Sequence, residues 1–215
     1  LVKQIKITPV KVDKNTAVAS FDFVEGTSLE RVFWDALKSG DQKTCLDTLE
    51  HLFSLVESLP SAELTDKDRV ELKKVFGPTA EKINTEFGRP GLIDINFDNI
   101  IVGADGRWNL IDYEWCFDFP VPKNYIIGRT LWWFFGIRYG TILRYLADRI
   151  KLIEIAPGTV VPEFIYKKYE HYFNNLEEIL VVEQAFQSFV AGESTKFSAR
   201  WKPHNQPRPV VKPIM

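Results

Sequence analysis

The chain predicts an α+β fold weighted towards helix, on three observations. Strand-like segments gather in the first 25 residues. Apolar positions then recur at helical spacing over 28–59 and again beyond 124. Between them, two short apolar runs flank Ala104-Asp105-Gly106, a turn of the Asp-Gly kind. With 215 residues, 45% hydrophobic and 26% charged, the chain is ordinary for a globular protein. It is long enough to bury one core, or one core plus a small appendage.

Val2 to Ile7 alternates and Thr8-Pro9 interrupts it; Asp13-Lys14-Asn15 is a turn signal before the strand Ala17 to Val24. These first segments read as antiparallel strands. Glu25-Gly26-Thr27 breaks the run, and Ser28 is positioned to cap a helix reaching about Leu37, closed by Ser39-Gly40. A second helix runs from Asp41 to Leu59, where Cys45, Leu46, Leu49, Leu52, Phe53 and Val56 share a face and Pro60 ends it. Residues 61–90 are more polar, with a short helix near Asp66 to Val75 and punctuation at Gly88-Arg89-Pro90-Gly91. Asn99 to Val102 and Trp108 to Ile111 read as paired strands. After Pro120-Val121-Pro122 the prediction is helix, first Asn124 to Ile150 and then Pro162 to Val190. The last 20 residues hold four prolines, five Lys or Arg and no acid, and are expected to be extended or disordered.

A formal net charge of −2 offers nothing to a polyanion, so nucleic acid is not an expected partner. Cys45 and Cys116 make no disulfide framework and no metal-ligand spacing, which fits a reducing, cytoplasmic setting. His51, His171 and His204 are also without ligand spacing. The most apolar run, Ile126 to Ile137, is 12 residues long and carries Arg129. It falls short of the ~20 residues that cross a bilayer, so no transmembrane segment is predicted. Trp132-Trp133-Phe134-Phe135 within it reads as core.

The chemistry concentrates in Gly91-Leu92-Ile93-Asp94-Ile95-Asn96-Phe97-Asp98-Asn99 and in Leu110-Ile111-Asp112-Tyr113-Glu114-Trp115. Asp94 stands five residues before Asn99, and Asp112 thirteen beyond it. Phosphoryl transfer uses such a set: a carboxylate at the attacking hydroxyl and two oxygen ligands for Mg²⁺ on the nucleotide phosphates. The spacing follows the pattern D-x-x-x-x-N and a later metal-binding aspartate. Each residue also has a plainer reading. Asp94 can form a turn by bonding the N–H two residues on. Asn99, beginning an apolar strand, needs a partner for its amide, either Mg²⁺ or the preceding loop. Asp112 is expected to be embedded among Trp108, Leu110 and Ile111, where a lone carboxylate would be costly without a cation.

These segments resemble the aminoglycoside-phosphotransferase and choline-kinase branch of the protein-kinase-like fold, in which the metal aspartate is followed by an aromatic residue and an acid. Upstream, Phe21-Asp22-Phe23-Val24-Glu25-Gly26-Thr27-Ser28-Leu29 is similar to the strand-to-hinge segment of that fold. Ile111 to Trp115, with Phe119-Pro120-Val121-Pro122 and Arg129, is similar to kinase-like domains fused to methyltransferases or glycosyltransferases of bacterial surface-polysaccharide synthesis. The resemblance implies ATP and Mg²⁺ as cofactors and Asp94 as catalytic base. It implies Asn99 and Asp112 as metal ligands, and Phe23, Val24, Glu25 and Gly26 as the adenine hinge. Glu114 would add a metal contact or stand as a solvated acid.

The chain departs from the family in placing Leu92-Ile93 before the aspartate, and it shows no glycine-rich loop or lysine-and-helix pair before residue 28. The expectation is a piece of a longer protein whose small lobe is largely missing. On that reading 1–27 is a small-lobe remnant with the hinge, 28–195 the helical large lobe, and 196–215 a basic tail. The expected activity is transfer of phosphate to a hydroxyl of a small molecule or glycan. No activation-loop-like stretch or Ala-Pro-Glu terminator follows Asp112, which disfavours protein substrates. The alternative is a non-catalytic, pseudokinase-like module that binds or positions a neighbouring enzyme domain.

Overall fold

The computed structural model describes residues 5–16, 18–83 and 86–192, and the backbone of Lys212–Pro213. Strands β1 (Lys6–Ile7), β2 (Val10–Asp13), β3 (Val18–Phe21) and β4 (Thr27–Ser28) lead into helices α1 (Leu29–Ser39), α2 (Gln42–Glu57) and α3 (Asp66–Phe76). Short strands follow: β5 (Phe87–Gly88), β6 (Gly91–Leu92), β7 (Ile100–Val102), β8 (Trp108–Leu110), β9 (Cys116–Phe117) and β10 (Val121–Pro122). Then come α4 (Lys123–Trp132), α5 (Gly140–Leu143), β11 (Leu152–Ala156), β12 (Thr159–Pro162), α6 (Glu163–Phe173), α7 (Leu176–Ala191) and β13 (Lys212–Pro213). This is an α+β fold with small sheets. No helix among the described residues is long and apolar enough to cross a membrane.

Two compact units divide the chain, each built from two segments: Leu1–Ser58 with Ile93–Cys116, and Leu59–Leu92 with Phe117–Met215. In the first unit, Ser28 Oγ accepts a hydrogen bond from Arg31 N–H at 3.3 Å, capping α1 where the sequence places the cap. Leu29, Phe33, Ala36 and Leu37 of α1 are buried, as are Cys45, Leu49, Leu52, Phe53 and Val56 of α2. Both sets recur at helical spacing, so each helix turns one apolar stripe inwards. A four-stranded sheet in the order β1-β8-β7-β4 completes this unit.

The N-terminal strands are not all antiparallel. β2 and β3 do pair antiparallel, Val10 with Phe21 and Asp13 with Val18, but β1 pairs parallel with β8, placing Ile7 beside Leu110. Pro9 accounts for the switch: it lacks an N–H for ladder pairing, so the chain leaves one sheet before entering the other.

The second unit corrects the helical reading of the C-terminal half. Helix continues beyond α4 as a π-helical stretch, Trp133–Arg138, and then breaks at Tyr139-Gly140. A Cβ on Gly140 would overlap the carbonyls of Gly158 and Phe135, so backbone crosses backbone closely there and a straight helix cannot pass. Leu152–Ala156 and Thr159–Pro162 form an antiparallel hairpin around Pro157-Gly158. The remaining helix divides at Asn174-Asn175, residues that favour turns by bonding their own backbone. β13 adds to the β11 edge, Lys212 opposite Glu154. The rest of the tail lies outside the described residues. Phe76 anchors an aromatic core here, stacking on Phe186 at 5.4 Å and meeting Tyr125 edge-on at 5.3 Å.

Candidate functional site

Asp94, Asn99 and Asp112 all lie in the first unit, on the segment Ile93–Cys116. Ile93, Ile95 and Phe97 are buried around Asp94. Phe97 packs on Phe33 of α1 with ring centroids 4.8 Å apart, and its carbonyl accepts from Glu30 N–H at 2.9 Å. The loop carrying Asp94 is therefore fastened to the start of α1. From there the chain turns tightly. Asn96 N–H donates to the Asp94 carbonyl at 2.8 Å, and Asn99 N–H to the Asn96 carbonyl at 3.2 Å.

The β7–β8 hairpin explains the thirteen-residue interval between Asn99 and Asp112. Its register pairs Ile100 with Leu110 and Val102 with Trp108, and Ile111 N–H donates to the Asn99 carbonyl at 2.8 Å. One strand out and one strand back return the chain to Asn99 at Ile111. Asp112 is the next residue.

The Asn99 side chain closes the arrangement. Its Nδ2 donates to the Asp94 carbonyl at 3.2 Å and to the Asp112 carbonyl at 3.0 Å. The plainer reading of Asn99, a bond to the preceding loop, is thus met by its nitrogen. Its Oδ1 accepts no hydrogen bond among the described residues. The Asp94 carboxylate reaches beyond its own loop. It is buried, and Oδ2 accepts from the Trp115 N–H at 3.0 Å, 21 residues further on.

Asp112 differs from expectation. It is exposed, standing beyond the end of β8 rather than embedded in it, so a desolvation penalty does not mark it. Its backbone does. At φ 49° it is the one non-glycine residue among those described with a positive φ, a left-handed conformation that aspartate tolerates better than most. Such outliers persist where the surroundings impose them. Its carboxylate has no hydrogen-bond or ion-pair partner among the described residues. Glu114 is exposed as well.

Phe23 to Gly26, the expected hinge, also fall in this unit. Phe23 is 92% exposed, Val24 is half-buried, and Glu25 and Gly26 are exposed. Gly26 lies against β7: a Cβ there would overlap the Val102 carbonyl and approach Ile101 Cγ2 to 2.7 Å. Thr27 and Ser28 then pair with Val102 and Ile101. Gly26 thus meets the far end of the strand that begins after Asn99, roughly 10 Å along the strand from it at ~3.3 Å per residue.

No protein-family model, curated protein or solved structure matches this chain. Among the described residues no three His, Cys, Asp or Glu side chains group closely enough to hold a metal ion. Mg²⁺ does not require such a cage, being held commonly by one or two protein oxygens together with substrate phosphates. An unengaged amide oxygen on Asn99 and an unengaged carboxylate on Asp112, two residues tied by a side-chain-to-backbone hydrogen bond, fit that chemistry. Three contributors escaped the sequence reading: the Trp115 N–H, Thr8 and the Tyr113 hydroxyl. Tyr113 Oη donates to the Thr8 carbonyl at 2.7 Å across 105 positions, and no local pattern carries that signal. Cys116 is a fourth neighbour. Partial burial and then the Asp94 charge push its thiol above the ordinary value.

Proposed function

We propose that this chain carries the metal- and acceptor-binding half of an ATP- and Mg²⁺-dependent phosphotransferase of protein-kinase-like type, acting on a hydroxyl of a small molecule or glycan. One observation carries the reading. The Asn99 amide nitrogen ties together the backbones of Asp94 and Asp112, while the Asn99 Oδ1 and the Asp112 carboxylate stay unengaged. In this reading Asn99 and Asp112 hold Mg²⁺ on the nucleotide phosphates. Bound Mg²⁺ would neutralise charge developing on the transferred phosphoryl group. Asp94, fixed by the Trp115 N–H, orients the acceptor hydroxyl and takes its proton. Phe23 to Gly26 supply backbone groups to the adenine edge. The two free thiols fit a reducing, cytoplasmic setting, and an attached methyltransferase or glycosyltransferase domain would supply the acceptor's context.

A second reading is a pseudokinase-like binding module. It is favoured by the β2–β3 hairpin, where Val10, Val12 and Phe21 share one face and are 44%, 63% and 67% exposed. Calorimetry of Mg·ATP binding separates the two. The phosphotransferase reading expects metal-dependent binding that Asp112→Asn abolishes, with Asp94→Ala retaining binding and losing turnover. Equal binding by the parent and Asp112→Asn, or unaltered turnover in Asp94→Ala, would overturn it.

A further inference from the structure

We propose that Tyr113 is a positioning residue for the metal site, its hydroxyl holding Asp112 in the left-handed conformation that presents its carboxylate. This inference rests on the phosphotransferase reading and deepens it. Asp112 is clamped on both sides by bonds that spare its side chain. On the N-terminal side, Ile111 N–H donates to the Asn99 carbonyl at 2.8 Å. At Asp112 itself, the carbonyl accepts from Asn99 Nδ2 at 3.0 Å. On the C-terminal side, the Tyr113 hydroxyl donates to the Thr8 carbonyl at 2.7 Å.

Thr8 is a firm anchor. It is buried, and its own N–H donates to the Leu110 carbonyl at 3.0 Å, extending the parallel β1–β8 pairing. One residue therefore grips the chain two positions before Asp112 and one position after it. Between those grips Asp112 stands at φ 49°. A non-glycine residue held in this region is strained and relaxes when its surroundings let go. Without the Tyr113 hydroxyl, the C-terminal grip is lost and Asp112 can return to negative φ. The change of backbone conformation would then carry its carboxylate in a different direction. Tyr113 touches neither metal nor substrate; it acts through Asp112.

The test compares this chain with its Tyr113→Phe variant, which keeps the ring and removes the donor. Mn²⁺ affinity in the presence of ATP is read by water-proton relaxation, ATP affinity without metal by calorimetry, and exchange of the Asn99 side-chain amide protons by NMR. The expected result is Mn²⁺ affinity weaker by roughly 10-fold, the lower end for loss of a group that orients a metal ligand. Metal-free ATP affinity should be unchanged, and the Asn99 amide should exchange faster as its Asp112 partner moves. A purely structural role would lower the melting temperature and leave the Mn²⁺ affinity of the folded protein alone. Should Tyr113→Phe not fold, 4-fluorophenylalanine at 113 gives the same test: its fluorine fills the place of the hydroxyl and donates no hydrogen bond, so Mn²⁺ affinity should fall as in Tyr113→Phe. Parental Mn²⁺ affinity in both variants overturns the role of Tyr113 and leaves the site reading standing. No metal-dependent ATP binding by the parent overturns both.

Discussion

A thiol reacts through its thiolate, so burial and neighbouring negative charge both slow it. Cys45 faces the interior from α2 with none of its surface exposed, and burial pushes its thiol up to about 12. Cys116 is exposed, yet partial burial and the Asp94 carboxylate still raise it above its ordinary 9.0. In the native protein, alkylation followed by mass spectrometry should therefore label Cys116 alone and slowly at neutral pH, with Cys45 labelled only in denaturant. Asp94→Asn removes one of the two causes acting on Cys116. Its thiol should fall towards the ordinary value and react faster at fixed pH. This measures the approach of residues 94 and 116 without any nucleotide, and an unchanged rate would show that the Asp94 charge does not reach the thiol. Native labelling of Cys45 would contradict the packing of α2.

Local chemistry also governs the start of α3. Thr65 Oγ1 accepts from Asp68 N–H at 3.2 Å, and Asp68 Oδ2 accepts from Thr65 N–H at 3.0 Å, a reciprocal cap that satisfies two donors. Arg89 adds a bond to Asp68 Oδ1 at 3.0 Å while its Nε reaches the Asp118 carbonyl, so the cap also fastens the chain at 89 and 118. The Thr65 hydroxyl, then the Thr65 N–H, then the Arg89 charge hold the Asp68 carboxyl below its ordinary 3.8. A lowered native value means that ionised Asp68 stabilises the fold above 3.8 and that this contribution is lost as pH falls through the lower native value. Urea unfolding at neutral pH should show Thr65→Ala less stable by about 1 kcal/mol. Asp68→Asn should also be destabilised there, with the gap to the parent narrowing as pH drops below 3.8. A gap that stays constant with pH would mean that charge at Asp68 does not matter. Elements of this kind are the legible part of the sequence: Ser28, Asp41 and the Asp66 start announce their helices through groups three residues apart.

At the scale of the molecule, legibility follows sequence distance. The interval from Asn99 to Asp112 was legible because the β7–β8 hairpin spans it, and its strands and turn are local signals. The exposure of Asp112 was not, because it depends on where β8 ends in space. Nor was the β11–β12 hairpin, although Pro157-Gly158 stands between two apolar runs; Leu152 to Ile155 also fits a buried helix at that length. The least legible feature is a buried charge. Glu183, wholly buried on α7, accepts at Oε2 from Arg129 Nε at 2.9 Å and from the Tyr125 hydroxyl at 2.6 Å. Gln187 Nε2 donates to Oε1 at 2.8 Å. Arg129 is buried too, over the rings of Trp133 and Phe186. Sequence shows only an arginine in one apolar run and a glutamate in another, 54 residues away. Removing one member of such a pair leaves the other charged and desolvated. Arg129→Met should cost about 3–5 kcal/mol, lowering the melting temperature by roughly 2–4 °C per kcal/mol. The double variant Arg129→Met, Glu183→Leu removes the stranded carboxylate as well and should recover most of that loss, since a buried pair adds little over apolar packing of similar volume. Chemical denaturation of the parent, the single and the double variant decides it. A double variant no more stable than Arg129→Met would mean that the arginine acts through its ring contacts rather than by compensating Glu183.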